Sequence, residues 1–485
     1  MLTQNAYEDS RSSFWPRVRQ FAVPPSMIET ATARREAGDW AGACAAAGVD
    51  VDLDLRSVAR AHGPDLAARL RADLRHLAPD LLRWHMPRIA PHGLLRPGLT
   101  VSLARYDLDG SDGVRPVHLV VRTPPAWADA GQRISLALWD GSRSEPHAHR
   151  HPHPRPGPRF RLDLHRHLWD ARRTDDLRVR SGADLPPSGA GGEPAPEVRE
   201  SAPPEVREAV PPEVREAVPP EVRRAVGRWT AEAGILLRAE GRSTRAFAVR
   251  LGGRRRLFLE LAGNGDAAGP PVLRTAPPPS DGDATSLPVL PDAATWVLPD
   301  LELLRTGAID AGLLHPLVAR ALLPGRPPAA APPPVVDGAG RPRVVECRGA
   351  RHRIGLVEGV LVPLDHDPAE IRREELLVAL TGTPLPCLRA IDEAHRRPDC
   401  LSGVRERLDH GDVAGALAVV EGLLGPGALL RDGPLRDELE TAAERRIAYG
   451  LFRAGLTGSG PNRVRSGRRG RSPEHRSRRR HATFS

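Results

Sequence analysis

The chain has 485 residues with 70 basic and 61 acidic side chains, and every basic residue is arginine. Without lysine there can be no Walker A loop, kinase-type ATP lysine, Schiff-base or pyridoxal chemistry, or Ser-Lys hydrolase, because each needs an ammonium group at a fixed place. The net charge of +9 is concentrated at one end: Pro461 to Ser485 carries nine arginines against Glu474, a local balance of +8, so the rest of the chain is close to neutral.

Glycine and proline together number 97, and the length accommodates about three domains, so folded units joined by disordered connectors are expected. Residues 1–25 are polar and carry no apolar core of a secretory signal. Ser26-Met27-Ile28-Glu29 has the form of a capping box and predicts a helix to about Ala37. Gly38-Asp39 then turns into a second helix, Trp40 to Ala47, a pattern that resembles one unit of a helical repeat. Asp54 is expected to cap a third helix, and Gly63-Pro64 separates it from a fourth with Leu66, Leu70, Leu74, Leu77 and Leu81 on one stripe.

From Leu99 the apolar period changes to two. Thr100 to Ala104, Val117 to Val121 and Ile134 to Trp139 read as three antiparallel strands, followed by a His-rich loop and a helix over Leu164 to Asp176. In the next stretch Pro-Glu-Val-Arg recurs at 196, 204, 212 and 220. Two prolines per octad read as a stiff charged spacer or as an unselected tandem repeat. Ile235 to Leu237, Phe247 to Val249 and Leu257 to Leu261 read as strands, and Leu298 to Leu304 and Leu313 to Leu323 as helices. After Pro327 to Pro334, a β-meander is expected over Val344 to Pro363, and helices from Asp367 to about Leu456.

The fold class is therefore α+β and multidomain: a helical header, small antiparallel sheets, a C-terminal helical layer, and disordered linkers and tail. The boundaries fall at 1–25 (disordered N-terminus), 26–180 (header plus small sheet), 181–226 (octad linker), 227–323 (second α+β module), 324–340 (Pro-rich linker), 341–458 (hairpin and helical region) and 459–485 (Arg-rich tail). Scattered cysteines and the lack of any stretch of 18 uninterrupted apolar residues predict a cytoplasmic protein with no membrane segment.

No catalytic constellation stands out, and no cofactor is expected. Asp392-Glu393-Ala394-His395 spells a helicase-type box but lacks the lysine loop that such a box serves. His147, His149, His151 and His153 could grip a transition metal, although four alternating prolines make the stretch a loop suited only to adventitious binding. Cys387, His395, Cys400 and His410 are zinc-ligand types, yet C-x12-C lacks a short knuckle, and Cys387 is read as a buried small apolar residue. Asp50, Asp52 and Asp54 lack the Gly and terminal Glu of a calcium loop.

Three stretches resemble an uncharacterised actinobacterial family whose members often carry C-terminal ankyrin repeats. They are Leu287-Pro288-Val289-Leu290-Pro291 through Leu298-Pro299-Asp300-Leu301-Glu302-Leu303-Leu304-Arg305 and Leu314-His315-Pro316-Leu317-Val318; Cys347-Arg348-Gly349; and His410-Gly411-Asp412-Val413. His167-Leu168-Trp169-Asp170-Ala171-Arg172 adds to the likeness. The ankyrin part is degenerate, since Leu424-Gly425 to Ala454-Gly455 spans 30 residues against the usual ~33. The resemblance implies no activity. The resulting expectation is a non-enzymatic interaction or scaffold protein with a protein partner. The alternative is nucleic-acid association through Arg468, Arg469, Arg471, Arg478, Arg479 and Arg480 of the tail. An enzyme with dispersed Asp, Glu and His stays open as a third reading.

Overall fold

Proline sets where most of the helices begin. Pro25, Pro64, Pro79, Pro299, Pro316 and Pro434 each occupy the first position of a helix, where the fixed φ suits the helix and the missing N–H would have had no intrahelical partner. A computed structural model describes residues 14–108, 115–129, 131–141, 151–183, 211–242, 245–252, 255–263, 271–279, 287–324, 343–347, 349–357, 360–381, 385–396, 401–425, 427 and 429–456. The chain is mixed α and β. It divides into two units, the larger built on 14–126 and 134–324, the smaller on 127–133 and 343–456.

In the larger unit, α1 (Pro25–Glu36) and α2 (Trp40–Ala46) form a helix–turn–helix. The cap expected at Ser26 lies two residues earlier, at Pro24: Pro25 takes the first helical position, Ser26 falls inside the first turn, and no side chain caps the helix, so the capping box is not formed. Next come β1 (Val49–Val51), α3 (Leu55–His62), α4 (Pro64–His76) and α5 (Pro79–His85), with the Asp54 carboxylate accepting from the Arg56 and Ser57 amides as expected of a cap. A two-residue ribbon, β2 (Arg88–Ile89) with β3 (Leu94–Leu95), leads into β4 (Thr100–Leu108), β5 (Arg115–Arg122) and β6 (Ile134–Trp139). These three strands pair antiparallel, and β1 joins parallel to β6, with Val49 opposite Ile134, for a sheet order β1-β6-β5-β4.

The sheet is covered on both faces. Thr100 to Ala104 are all buried, and residues 157–163 run along the outer edge of β4, with the Asp163 amide bonding to the Ser102 carbonyl. In place of the helix expected over 164–176 there are two tight turns, Arg166–Leu168 and Thr174–Asp176, before α6 (Leu177–Ser181). The side chain of Asp170 accepts from the Arg172 amide at 3.0 Å and competes with helical bonding there.

The octads at 211–226 do more than separate modules. α7 (Pro212–Ala217) and α8 (Pro220–Arg223) present valine at every fourth position, and Val214, Val218 and Val226 are buried in a second core. That core also holds Trp229, Ala233, Leu236 and Leu237 of α9 (Trp229–Ala239), so the strand expected at Ile235 to Leu237 is a helix. It closes on β7 (Ala246–Arg250), β8 (Arg256–Ala262) and β9 (Val272–Thr275), an antiparallel sheet in sequence order. Pro288–Leu290 lines the free edge of β7 through two backbone hydrogen bonds to Ala248. After α10 (Asp292–Thr295), α11 (Pro299–Arg305) and α12 (Pro316–Leu322) return to the first core, where Leu301, Leu317 and Val318 meet Leu81 and Leu103. Apart from 127–133, residues 26–180 and 227–323 therefore belong to one unit, and the N-terminal segment expected to be disordered contributes Phe14, Val18, Ala22 and Val23 to its core.

The smaller unit contains the expected meander, β10 (Arg343–Cys347), β11 (Ala350–Val357) and β12 (Val360–Pro363). Five helices follow: α13 (Pro368–Thr381), α14 (Pro386–Arg396), α15 (Leu401–His410), α16 (Val413–Leu424) and α17 (Pro434–Ala454). Ile354 and Leu361 of the sheet pack with Ile391, Val404, Leu408, Val420 and Leu435. Among the described residues no helix is long and apolar enough to cross a membrane.

The turns before α2 and α16 are built alike. Arg34 to Gly42 and Arg407 to Gly415 share the pattern Arg-x3-Gly-Asp-x-Ala-Gly. Each turn glycine has a positive φ, +79° at Gly38 and +86° at Gly411. Each aspartate caps its helix, Asp39 accepting from the Gly42 amide at 2.8 Å and Asp412 from the Gly415 amide at 2.9 Å. The arginine of each turn donates back to the same carboxylate. A Cβ at Gly415 would stand 2.1 Å from Asp412 Oδ2, which explains the second glycine. Asp412→Ala should lower the stability of the smaller unit by about 1 kcal/mol. Gly415→Ala should cost at least as much by evicting the cap, and a urea titration of each variant would show either loss.

Candidate functional site

Three clusters of buried charge organise the larger unit. The first gathers on α5. Asp300, fully buried at the start of α11, accepts from Trp84 Nε1 at 2.7 Å and from Arg19 Nη2 at 3.2 Å. The Arg19 guanidinium lies over the Trp84 ring at 3.9 Å. His85 bonds through Nδ1 to the Leu168 carbonyl at 3.0 Å and turns Nε2 toward Asp300 at 3.8 Å. Burial pushes the His85 imidazole down to about 4, and the Asp300 charge only partly opposes this. Beside it, His315 Nε2 donates to Asp80 at 2.9 Å while its Nδ1 accepts from the Leu317 amide, capping α12. His315 thus has both ring nitrogens committed.

In the second cluster Asp73 accepts from the Tyr106 hydroxyl at 2.7 Å, from Arg172 at 2.6 Å and from Arg166, and both arginines also reach Asp170 at 2.8 Å. Burial raises the Asp170 carboxyl, but hydrogen bonds from Arg172 and Arg166 outweigh it and leave it below the usual range. In the third, Glu232 of α9 receives a two-pronged bond from Arg180, 2.6 Å on each oxygen, and lies 3.1 Å from His165 Nε2. Burial opposes its ionisation, yet His165 and Arg180 hold it down at about 2.

A catalytic carboxylate needs an uncommitted oxygen facing substrate. Asp80 Oδ1 is buried without a hydrogen-bond partner, while Asp300, Asp73, Asp170 and Glu232 face guanidinium, indole, hydroxyl and imidazole donors from distant segments, an arrangement suited to cohesion. Two stretches supply many of the anchors: Asp300 and His315 from 298–318, and His167, Trp169, Asp170 and Arg172 from 167–172. His167 is buried and neutral, its imidazole pushed well down by burial and by the nearby Arg180 charge.

Of the four alternating histidines, His147 and His149 lie outside the described residues. His151 is buried and both nitrogens are engaged: Nε2 donates to the Thr123 carbonyl at 2.9 Å, and Nδ1 accepts from the His153 amide at 3.2 Å. It secures a loop. The tail arginines, Arg468, Arg469, Arg471, Arg478, Arg479 and Arg480, lie outside the described residues, as do the side chains of His395 and Cys400.

Cys387 meets other residues than the sequence pattern suggested. In the smaller unit Cys347, at the end of β10, His366, in the turn after β12, and Cys387, in the first turn of α14, bring their donor atoms within 4.8 Å of one another. Both thiols are buried. Cys387 is pushed up to about 12 by burial and by the neighbouring Cys347 thiol, which overrides the help a helix start gives to a thiolate. The His366 side chain is 4% exposed; its Nδ1 stands 3.7 Å from Glu370 Oε2, and its Nε2 is buried without a hydrogen-bond partner. The His352 ring stacks on it at 4.1 Å between centroids and 11° between planes. The separations 347, 366 and 387 contain no knuckle, so the three meet only through the register of the meander and the packing of α14 against β10.

No family model, curated protein or solved structure matches the chain.

Proposed function

We propose that the chain is a non-enzymatic interaction protein that binds a helix of a protein partner along α17. The supporting observation is a second apolar stripe. α17 turns Leu435, Ala442 and Tyr449 inward, yet Ala443, Ile447, Gly450, Leu451 and Ala454 are exposed, Ile447 by 64% and Leu451 by 38%. Positions 443, 447, 450 and 454 follow the four-three-four spacing of a helix-pairing seam, whereas a surface helix normally has one apolar stripe. Small residues flank the two large ones, and a Cβ placed on Gly450 would meet nothing within 4 Å, leaving room for close approach of a second backbone. Exposed Glu444 and Arg446 border the seam and can fix the register of a charged partner helix.

The test is the double variant Ile447→Asp, Leu451→Asp. Because both side chains face solvent, its melting temperature should stay within a few degrees of the parent. Binding to a partner isolated by crosslinking and then purified should fall by at least about 100-fold, as truncation of central apolar anchors does. A variant that unfolds, or one that binds as before, would place the seam in the protein's own core or away from the interface. The alternative reading, nucleic-acid association, rests on the +8 balance of Pro461 to Ser485. It predicts binding that weakens steeply with salt and disappears on deletion of 461–485.

A further inference from the structure

We infer that Cys347, His366 and Cys387 form a zinc site that fastens the meander to α14. Tetrahedral zinc, with bonds of about 2.3 Å to sulfur and 2.0 Å to nitrogen, sets its donors about 3.5 to 3.8 Å apart. The three donors here lie within 4.8 Å, so a closure of about 1 Å suffices. Two thiolates and an imidazole suit zinc and disfavour magnesium or calcium. A second, independent sign is the histidine itself: a ring nitrogen buried without a partner is costly, and Nε2 of His366 is in that position. Its other nitrogen faces Glu370, the carboxylate–imidazole arrangement that orients and strengthens a metal-bound histidine. His352, stacked on the same ring, limits its rotation.

The location gives the metal a structural task. Around the two thiols the apolar cluster is small, Leu385 with the partly buried Val345 and Leu388. A bond from each of three segments would supply cohesion that so few side chains cannot. The three protein donors leave one tetrahedral position for a water or an exogenous ligand.

The experiment uses the full chain, reduced and stripped of metal, titrated first with Co²⁺ and then with Zn²⁺. One equivalent of cobalt should give the intense visible bands of a tetrahedral ion together with thiolate-to-cobalt charge transfer, and zinc should displace it. Cys387→Ser and His366→Gln should each weaken zinc binding more than about 100-fold, and Glu370→Gln about 10-fold. Cys44→Ser, a buried cysteine of the larger unit, should change nothing. The cobalt spectrum of the parent chain needs no variant to fold. Absence of the thiolate band would overturn the site, as would zinc uptake that Cys387→Ser leaves unchanged, the result expected of the His-rich loop. Recovery of Cys347 and Cys387 as a disulfide after isolation under reducing conditions would also overturn it.

Discussion

Asp300→Ala is expected to cost the larger unit about 3 to 5 kcal/mol, the usual penalty for removing one partner of a buried ion pair. Asp300 has no exposed surface and Arg19 very little, their side chains being 0% and 7% exposed. The alanine variant would leave a guanidinium buried with its counter-charge gone, and the Trp84 indole N–H without its 2.7 Å acceptor. Against a total stability of roughly 5 to 15 kcal/mol for a typical domain, such a loss takes the unit close to unfolding. Asp300→Asn should be milder, since an amide oxygen can still accept from the indole but cannot neutralise Arg19. Adding Arg19→Met to Asp300→Asn should recover part of the loss, because removing both charges abolishes the desolvation penalty that each single variant exposes. Urea unfolding followed by tryptophan fluorescence would report this directly, with Trp84 inside the cluster. A cost below about 1 kcal/mol for Asp300→Ala would mean that the pair is solvated and does not anchor α11.

The cluster also shows what the absence of lysine means physically. Arg19, Arg166, Arg172 and Arg180 each serve buried carboxylates, two of them by contacts to two different acids. The planar guanidinium is weakly hydrated and presents several donors in a fixed fork, so it tolerates such burial better than an ammonium would. The composition that excluded lysine chemistry thus matches the way the chain is held together.

Local pattern was a good guide where one period dominates. Strands β4, β5 and β6 alternate cleanly or are continuously apolar, and Gly-Asp turns, Asp54 and the prolines mark helix starts by side-chain chemistry that acts within a few residues. It failed where the deciding contact is distant. Three apolar residues in a row at 235–237 fit a strand as well as a helix, and it is the spacing of Trp229, Ala233, Leu236 and Leu237 against β8 and β9 that selects the helix. Val49-Asp50-Val51 is too short to signal a strand before β6 is beside it. Two prolines per octad cut the helices short, yet valine at every fourth position from Val214 to Val226 lets the short helices after Pro211-Pro212 and Pro219-Pro220 bury side chains in the second core. The polar anchors were legible only as words: Asp300 reads as an ordinary acid in the first turn of a helix, and nothing local connects it to Arg19, 281 positions away. Cys387 is buried, as its residue type suggests, but its neighbours Cys347 and His366 come from a meander whose register spacing alone does not give.

Acidification should destabilise the larger unit in two stages, beginning well above the range where carboxylates protonate. His85 is held neutral in the fold, at about 4 against an ordinary value of 6.5. Between those values the unfolded chain carries a proton there that the folded chain does not, so stability rises with pH in that window and is lost as pH falls from about 6.5 to about 4. That difference corresponds to roughly 3 kcal/mol of stability. His167, buried and also pushed down, adds to the loss in the same direction. The groups facing His85 act against one another: Asp300 favours its protonation, while Arg19 and His315 oppose it, and burial decides. The second stage belongs to Glu232, held at about 2 against an ordinary 4.5. Its contribution is complete above 4.5 and disappears as pH falls toward 2, releasing Arg180 and His165 from their partner. Urea midpoints measured from pH 7.5 to pH 3 should therefore fall first near pH 6. His85→Gln, which keeps an N–H for the Leu168 carbonyl but cannot titrate, should reduce that first fall, leaving the part due to His167, and leave the lower one intact. A parent chain whose midpoint stays level between pH 7 and pH 4.5 would show that His85 is charged or solvated in the fold, and that the Asp300 cluster is more open than its geometry implies.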